Sequence, residues 1–216
     1  MVSSWRPTLI GSLSPTQIWT FDSLSNIGGL VPHIEGQPVL FDSPYGPALA
    51  FNGVDDAVVL DCHPLAGAST FTFEALFRPD GGAFAQRWFH LASNDTGHDA
   101  ASTSATRCLF EIRVIGGDWY LDAFIQGPGY KQTLVSPEKR FAVGKWYHVA
   151  QTYDGKSYRS FVDGIEQGHA YLDFTPQGAG RTSVGMRLNH VNYFKGAIRL
   201  ARFTRRGLQP NEFLSA

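Results

Sequence analysis

Only two cysteines, Cys62 and Cys108, occur in 216 residues. That scarcity excludes a small disulfide-stapled scaffold, which relies on several pairs. Each cysteine borders an apolar run, so two buried free thiols are expected. No stretch approaches the roughly 18–20 consecutive apolar residues of a membrane-spanning helix. Residues 1–7 (MVSSWRP) lack the basic segment and apolar core of a secretory signal. Together with the few cysteines, this favours a cytoplasmic location. Charge is sparse as well: 17% of residues are charged, with 18 Lys+Arg against 19 Asp+Glu and a net charge of −1. So even a balance offers no general attraction to nucleic acid or anionic membrane, and neither is expected as a partner. Amphipathic helical periodicity is nearly missing, and only residues 209–214 offer a helical turn. His63, His90, His98, His148, His169 and His190 are scattered without zinc-site spacing. A G-x-S-x-G elbow, a Walker A loop and G-x-G-x-x-G are all absent.

What remains is rich in turns and aromatics: 23 Gly, 12 Pro and 13% aromatic residues, a composition unlike that of disordered chains. Strand signals recur throughout. Residues 71–78 (FTFEALFR) put Phe71, Phe73, Ala75 and Phe77 on one face, and Thr72, Glu74, Leu76 and Arg78 on the other. Residues 108–115 put Phe110, Ile112 and Val114 on one face, with Leu109, Glu111, Arg113 and Ile115 opposite. Gly116-Gly117-Asp118 then turns the chain into residues 119–125. Residues 146–153 turn through Asp154-Gly155 into 158–162, and Asp163-Gly164 turns again into 165–166. Further strands are expected at 18–21, 48–51, 57–60, 88–92, 183–186 and 197–203. About a dozen short strands without intervening helices predict an all-β fold, two stacked antiparallel sheets forming a jelly-roll sandwich. No linker divides the chain, so residues 1–216 are read as one domain. The polar stretch 93–107 is too long for a tight hairpin, and loops of that kind are usually functional or mobile. Residues 181–216 carry seven basic side chains against Glu212 alone, leaving eleven basic and eighteen acidic residues before them. Cross-sandwich balance is the expected outcome of this split.

Four blocks, in order, resemble the laminin-G-like members of the concanavalin A-like lectin/glucanase superfamily. They are residues 46–60 (GPALAFNGVDDAVVL), 71–80 (FTFEALFRPD), 144–155 (GKWYHVAQTYDG) followed by 160–164 (SFVDG), and 194–208 (FKGAIRLARFTRRGL). Trp19-Thr20-Phe21-Asp22 is similar to the family's opening strand. The resemblance implies a concanavalin A-like jelly roll with one concave face, on which lectins and glycanases of the superfamily hold carbohydrate. It fixes no particular activity, because the same fold hosts binding modules, hydrolases, lyases and adhesive domains. Family members often carry acidic residues where Arg199-Leu200 stand, and such a side chain helps hold a structural calcium. Arg199 would repel the cation. Asp22 is then the one metal ligand expected, short of the 6–8 oxygens that calcium takes. Gln151 stands at a usually apolar core position and must find partners or face a cavity.

Glycoside hydrolysis needs two carboxylates flanking the scissile bond, and the E-x-D-x-E strand of laminarinase-like enzymes is absent. If the outward faces share one sheet, Glu74, Arg78, Glu111, Arg113, Tyr120, Asp122, Phe124, His148 and Thr152 form a polar patch, joined by His90 or its neighbours. Arginine's planar donor fork suits the carboxylate of an anionic sugar. The leading expectation is therefore a lectin-like domain binding a carbohydrate, anionic in one version, through Glu74, Arg78, His90, Glu111, Arg113, Tyr120, Asp122 and His148. Trp88, Trp119, Tyr120, Tyr130 and Tyr193 are candidate stacking platforms. The alternatives are an enzyme, a lyase on uronate sugars before a hydrolase, using His148, Tyr120, Glu111 and Arg113, or a structural or protein-interaction domain. Glu74 and His148 also fall on family motif positions, where each has a structural reading.

Overall fold

The computed structural model describes residues 15–94 and 106–214. Period-two alternation builds two antiparallel sheets. The first runs β14 (Ile165–Tyr171), β13 (Ser157–Val162), β12 (Tyr147–Tyr153), β6 (Phe71–Pro79), β16 (Lys195–Thr204), β4 (Gly46–Asn52) and β3 (Val39–Ser43), with β1 (Thr16–Thr20) also paired to β16. The second runs β10 (Tyr130–Val135), β9 (Asp118–Gly127), β8 (Arg107–Ile115), β7 (Ala85–Ser93), β15 (Gly180–Val184), β5 (Ala57–Leu60) and β2 (His33–Glu35), with β11 (Phe141–Ala142) on β9. This is the expected all-β jelly-roll sandwich. The turn between β13 and β14 shows why the Asp-Gly signal is strong. Asp163 and Gly164 take φ of 48° and 75°, and a turn with positive φ at both central residues matches the twist of paired strands. The expected helical turn is a short 3₁₀ segment, Pro210–Glu212. Residues 95–105 of the long polar stretch lie outside the described residues.

Aromatic side chains fill the space between the sheets. The Phe77 ring lies parallel to Trp88 with centroids 4.3 Å apart, and Trp88 lies parallel to Phe110 at 5.2 Å, so one stack crosses from β6 to β7 and β8. Each such pair contributes roughly 0.5–1.5 kcal/mol beyond its buried area. Trp88, Trp119 and Tyr130 belong to this core, which removes them from the candidate sugar platforms. Gln151 is fully buried among the aromatics and finds the partners it requires. Its amide donates to the Leu109 carbonyl at 2.6 Å, and its oxygen accepts from the Tyr158 hydroxyl at 2.6 Å and from Cys108 Sγ at 3.1 Å. Both cysteines are free; Cys108 is buried and Cys62 half-buried.

Candidate functional site

Each sheet turns its core parity inward, so the polar parity of each strand faces away from the sandwich. On the second sheet that parity aligns Glu111 with Asp122, Arg113 with Tyr120 and Leu109 with Phe124 across β8 and β9. A bulge in β7 after Arg87 sends both Trp88 and Phe89 into the core, returning Arg87 and His90 to the outer face beside Glu111 and Leu109. Lys131 and Thr133 of β10 lie on the other flank of β9.

The last contributor is a loop, residues 185–194. Gly185, at φ of +88°, opens it where a Cβ would sit 2.5 Å from the Phe51 ring, so a larger residue there would be strained. Phe194 N–H donates to the Gly185 carbonyl at 2.8 Å and closes the loop. Leu188 N–H donates to His90 Nδ1 at 3.1 Å, anchoring the loop over the outer face and carrying Arg187 to its rim.

The result is a depression of about 270 Å³ lined by Arg87, Arg107, Arg113, Lys131 and Arg187 around Glu111 and Asp122, with Leu109, Phe124 and Thr133. Glu111 is clasped from two strands: Arg87 Nε donates to it at 3.0 Å and Arg113 Nη2 at 2.9 Å. The same Arg113 nitrogen reaches Asp122 Oδ2 at 2.6 Å. Arg107 lies over the Phe124 ring at 4.9 Å, and Asn192 accepts from Arg87. Burial, then the neighbouring Glu111, pushes the Asp122 carboxyl up to about 6, against the pull of Arg113 and Arg87. Burial lowers the proton affinity of Arg107 and Arg187, aided by repulsion from Arg187 and Arg87 on the first and from Arg87 on the second. Burial, followed by repulsion from Arg187 and Arg107, holds His90 well below the usual imidazole range, so its ring is neutral. With Nδ1 accepting from Leu188, the proton is on Nε2. Asp122 Oδ1, Arg187 Nε and His90 Nε2 are buried here without a hydrogen-bond partner among the described residues.

The single patch expected from the sequence is thereby divided. Glu111, Arg113, Tyr120, Asp122, Phe124 and His90 share the outer face of the second sheet. Tyr120 is buried beside Arg113 and does not line the depression. Glu74, Arg78, His148 and Thr152 lie on the first sheet, because β6 pairs with β12 and β16. There Glu74 meets His148 at 3.0 Å and Arg202 at 2.5 Å. Arg78 closes a bidentate pair with Asp80 and lies under the Phe41 and Trp146 rings. The expected enzyme set of His148, Tyr120, Glu111 and Arg113 is consequently split between two sheets and does not assemble. Tyr193 is half-buried outside the depression. Asp22 is exposed and accepts from Thr20 Oγ1 at 3.1 Å. Among the described residues, no three His, Cys, Asp or Glu side chains group to hold a metal, and no helix is long and apolar enough to cross a membrane.

Arg87, Arg107, Lys131 and Arg187 were not expected at this site. Arg107 shares the odd-numbered parity of Glu111 and Arg113, and that signal was readable. Arg87 is disguised by the bulge. Lys131 sits on a strand of weak alternation, and Arg187 arrives from a distant loop.

The fold has many solved counterparts. Domain 4 of AbnA, an extracellular arabinanase of Geobacillus stearothermophilus, in complex with arabinotriose, superposes with a TM-score of 0.67 at 16% identity, over 91% of this chain and 94% of that domain. The binding domain of Paraclostridial mosquitocidal protein 1 gives 0.64 at 10% identity, over 91% of this chain and 50% of that one. The CBM40 domain of the Ruminococcus gnavus IT-sialidase, bound to α2,3 sialyllactose, gives 0.55 at 16% identity, over 82% and 95%. At these identities the likeness concerns the fold. A search of curated proteins finds no match. A laminin-G-type family model, described as the concanavalin A-like lectin/glucanases superfamily, matches residues 52–212. The jelly-roll topology and that match agree: the chain belongs to the concanavalin A-like lectin/glucanases superfamily.

Proposed function

We propose that this protein binds a carbohydrate, that the depression on the outer face of the second sheet is the binding site, and that the ligand is anionic. The observation that carries the reading is the convergence of five cationic side chains on two carboxylates in a depression of about 270 Å³. Glu111 already has Arg87 and Arg113, whereas Arg187 keeps a buried Nε–H without a partner among the described residues. A ligand carboxylate or sulfate ester would supply the missing acceptor through charge-assisted hydrogen bonds. The Phe124 ring beneath Arg107 and the aliphatic stem of Lys131 give the wall an apolar component, which suits the mixed surface of a sugar. Carbohydrate ligands of the same fold, arabinotriose on the arabinanase domain and sialyllactose on the CBM40 domain, support the ligand class. Their low identity carries no contact residue across.

Titration calorimetry with neutral, uronate-containing, sialylated and sulfated oligosaccharides tests this. Wild type is expected to bind an acidic set in preference to the neutral one. The double variant Arg187→Ala with Lys131→Ala is expected to lose roughly 10–100-fold in affinity, the range of charge-assisted hydrogen bonds. Equal binding of neutral sugars, or unchanged affinity in the double variant, would refute the assignment. Absorbance by an unsaturated uronate product in the same mixtures would instead support turnover.

A further inference from the structure

Two carboxylates inside a site built for an anion need a reason. A bare anion resting on Arg187 and Lys131 would be repelled by Glu111 and Asp122 and would gain nothing from them. Glu111 is accounted for, because it holds Arg87 and Arg113 in place. Asp122 is not. It is 5% exposed, accepts at Oδ2 from Arg113 at 2.6 Å, and keeps Oδ1 buried without a donor among the described residues. A carboxylate oxygen accepts up to two hydrogen bonds, and burying it unmatched costs the lost hydration of a charged atom with nothing to offset it. No unpaired cation is needed to satisfy it; a neutral hydroxyl donor is. Sugars bring hydroxyl groups next to their acidic group, and simple anions do not. The combination of attractive cations with one repelling acceptor therefore selects hydroxylated anions and disfavours bare ones.

Resting on the assignment of the depression as the glycan site, we propose that Asp122 is its specificity-determining residue. Its Oδ1 accepts a hydrogen bond from a hydroxyl of an acidic sugar whose anionic group lies against Arg187 and Lys131. The shared chemistry is an anionic group flanked by a free hydroxyl, whether the charge comes from a uronate carboxylate or from a sulfate ester.

The test compares wild type, Asp122→Ala and Asp122→Asn against a uronate oligosaccharide, a sulfated oligosaccharide and inorganic sulfate, by titration calorimetry at low salt. Asp122→Ala is expected to weaken the preferred oligosaccharide roughly 10–100-fold. Inorganic sulfate should hold its affinity or tighten, because a repelling charge has gone. Asp122→Asn, of similar volume and retaining an acceptor oxygen, should recover part of the sugar affinity and guards against a folding defect in the alanine variant. Which oligosaccharide suffers the larger loss identifies the source of the charge. A parallel fall for sugar and inorganic sulfate would show a merely structural role and overturn the proposal. So would unchanged sugar affinity in both variants while Arg187→Ala still abolishes binding, and then the glycan site itself would stand. If wild type binds none of the oligosaccharides, both readings fall together.

Discussion

The outer faces of the two sheets carry similar chemistry and end in opposite states. On the first sheet, Glu74 accepts from His148 at 3.0 Å, from Arg202 at 2.5 Å and from Leu214 N–H at 2.8 Å. Arg202 also donates to the Glu212 carbonyl, and Phe213 packs on the His148 and Phe161 rings. The C-terminal segment thus lies across the polar cluster and completes it. On the second sheet, Asp122 Oδ1, Arg187 Nε and the neighbouring His90 Nε2 are buried without a hydrogen-bond partner among the described residues. Size does not separate the faces: the depression beside His148 and Phe213 measures about 280 Å³ and the arginine-lined one about 270 Å³. What separates the two carboxylate clusters is whether the chain satisfies them: both Glu74 oxygens are matched, and Asp122 Oδ1 has no donor among the described residues. A buried polar cluster that is closed internally specifies structure, and one left open points to a ligand.

The largest effect that could break this contrast is on stability. Glu74→Ala strands the buried His148 and Arg202 and frees the Leu214 amide. Removing one member of a buried ion cluster typically costs about 3–5 kcal/mol, which for a chain of this size lowers the melting temperature by roughly 10 °C. Glycan affinity, measured below the new midpoint, should stay at the wild-type value. A stable Glu74→Ala protein that loses glycan binding would move the functional face to the first sheet.

A smaller, pH-dependent effect follows from opposite shifts on the two faces. Burial pushes Glu74 up, but hydrogen bonds from His148, Arg202 and Leu214 outweigh it and leave the carboxyl below its ordinary value. Its contribution is therefore present above the unfolded-state value near 4.3 and is lost as pH falls through the lowered folded value. Asp122 behaves in reverse. It faces Glu111 and Arg113 from β8 and Arg87 from β7, with Arg107, Lys131 and Arg187 around the same depression. Its carboxyl is raised to about 6, against roughly 3.9 when unfolded. Ionised Asp122 thus costs stability above pH 6, on the order of 3 kcal/mol, and that cost disappears as pH falls from about 6 to about 4. Urea melts across this window should show wild type gaining on Asp122→Asn as pH drops. Glu74→Gln should differ from wild type most above pH 5 and converge with it in acid. Parallel pH profiles for all three proteins would remove the electrostatic distinction between the faces.

Much of the fold is legible in the chain because alternation and turn chemistry are local. The Asp-Gly turns, the aromatic parity of residues 71–77 and the pairing of Glu111 with Arg113 and Asp122 all follow from period two. The site is only half legible, since which strands share a sheet depends on non-local pairing that the core decides. Glu74 and His148 do face the same way as each other, 74 residues apart in sequence, yet no local pattern says that Glu111 faces the opposite side of the molecule. A one-residue bulge at Arg87 reverses parity without leaving a composition signal. Lys131 stands in YKQTLV, where polar residues on both faces blur the alternation, and β2, β3, β10 and β11 escape the sequence reading for similar reasons. Arg187 needs the whole tertiary structure to reach its neighbours.

The smallest expected effect concerns the edge of the first sheet, where a metal would add a second kind of closure. Asp22 follows β1 and is exposed, with its Oδ1 accepting from Thr20. Phe21 N–H donates to the Arg199 carbonyl at 3.0 Å, so the chain brings Arg199 alongside, and that guanidinium donates to the Tyr45 carbonyl at 2.9 Å. A calcium ion there would find one carboxylate of the 6–8 oxygens it takes. Asp22→Ala should behave as an ordinary surface change, within about 0.5 kcal/mol, and chelator should move the melting temperature of neither protein by more than about 2 °C. A larger chelator shift in wild type, restored by calcium and absent in Asp22→Ala, would mean that the first sheet is closed partly by a metal. Internal satisfaction of its polar groups would then no longer be sufficient to explain why that face is structural.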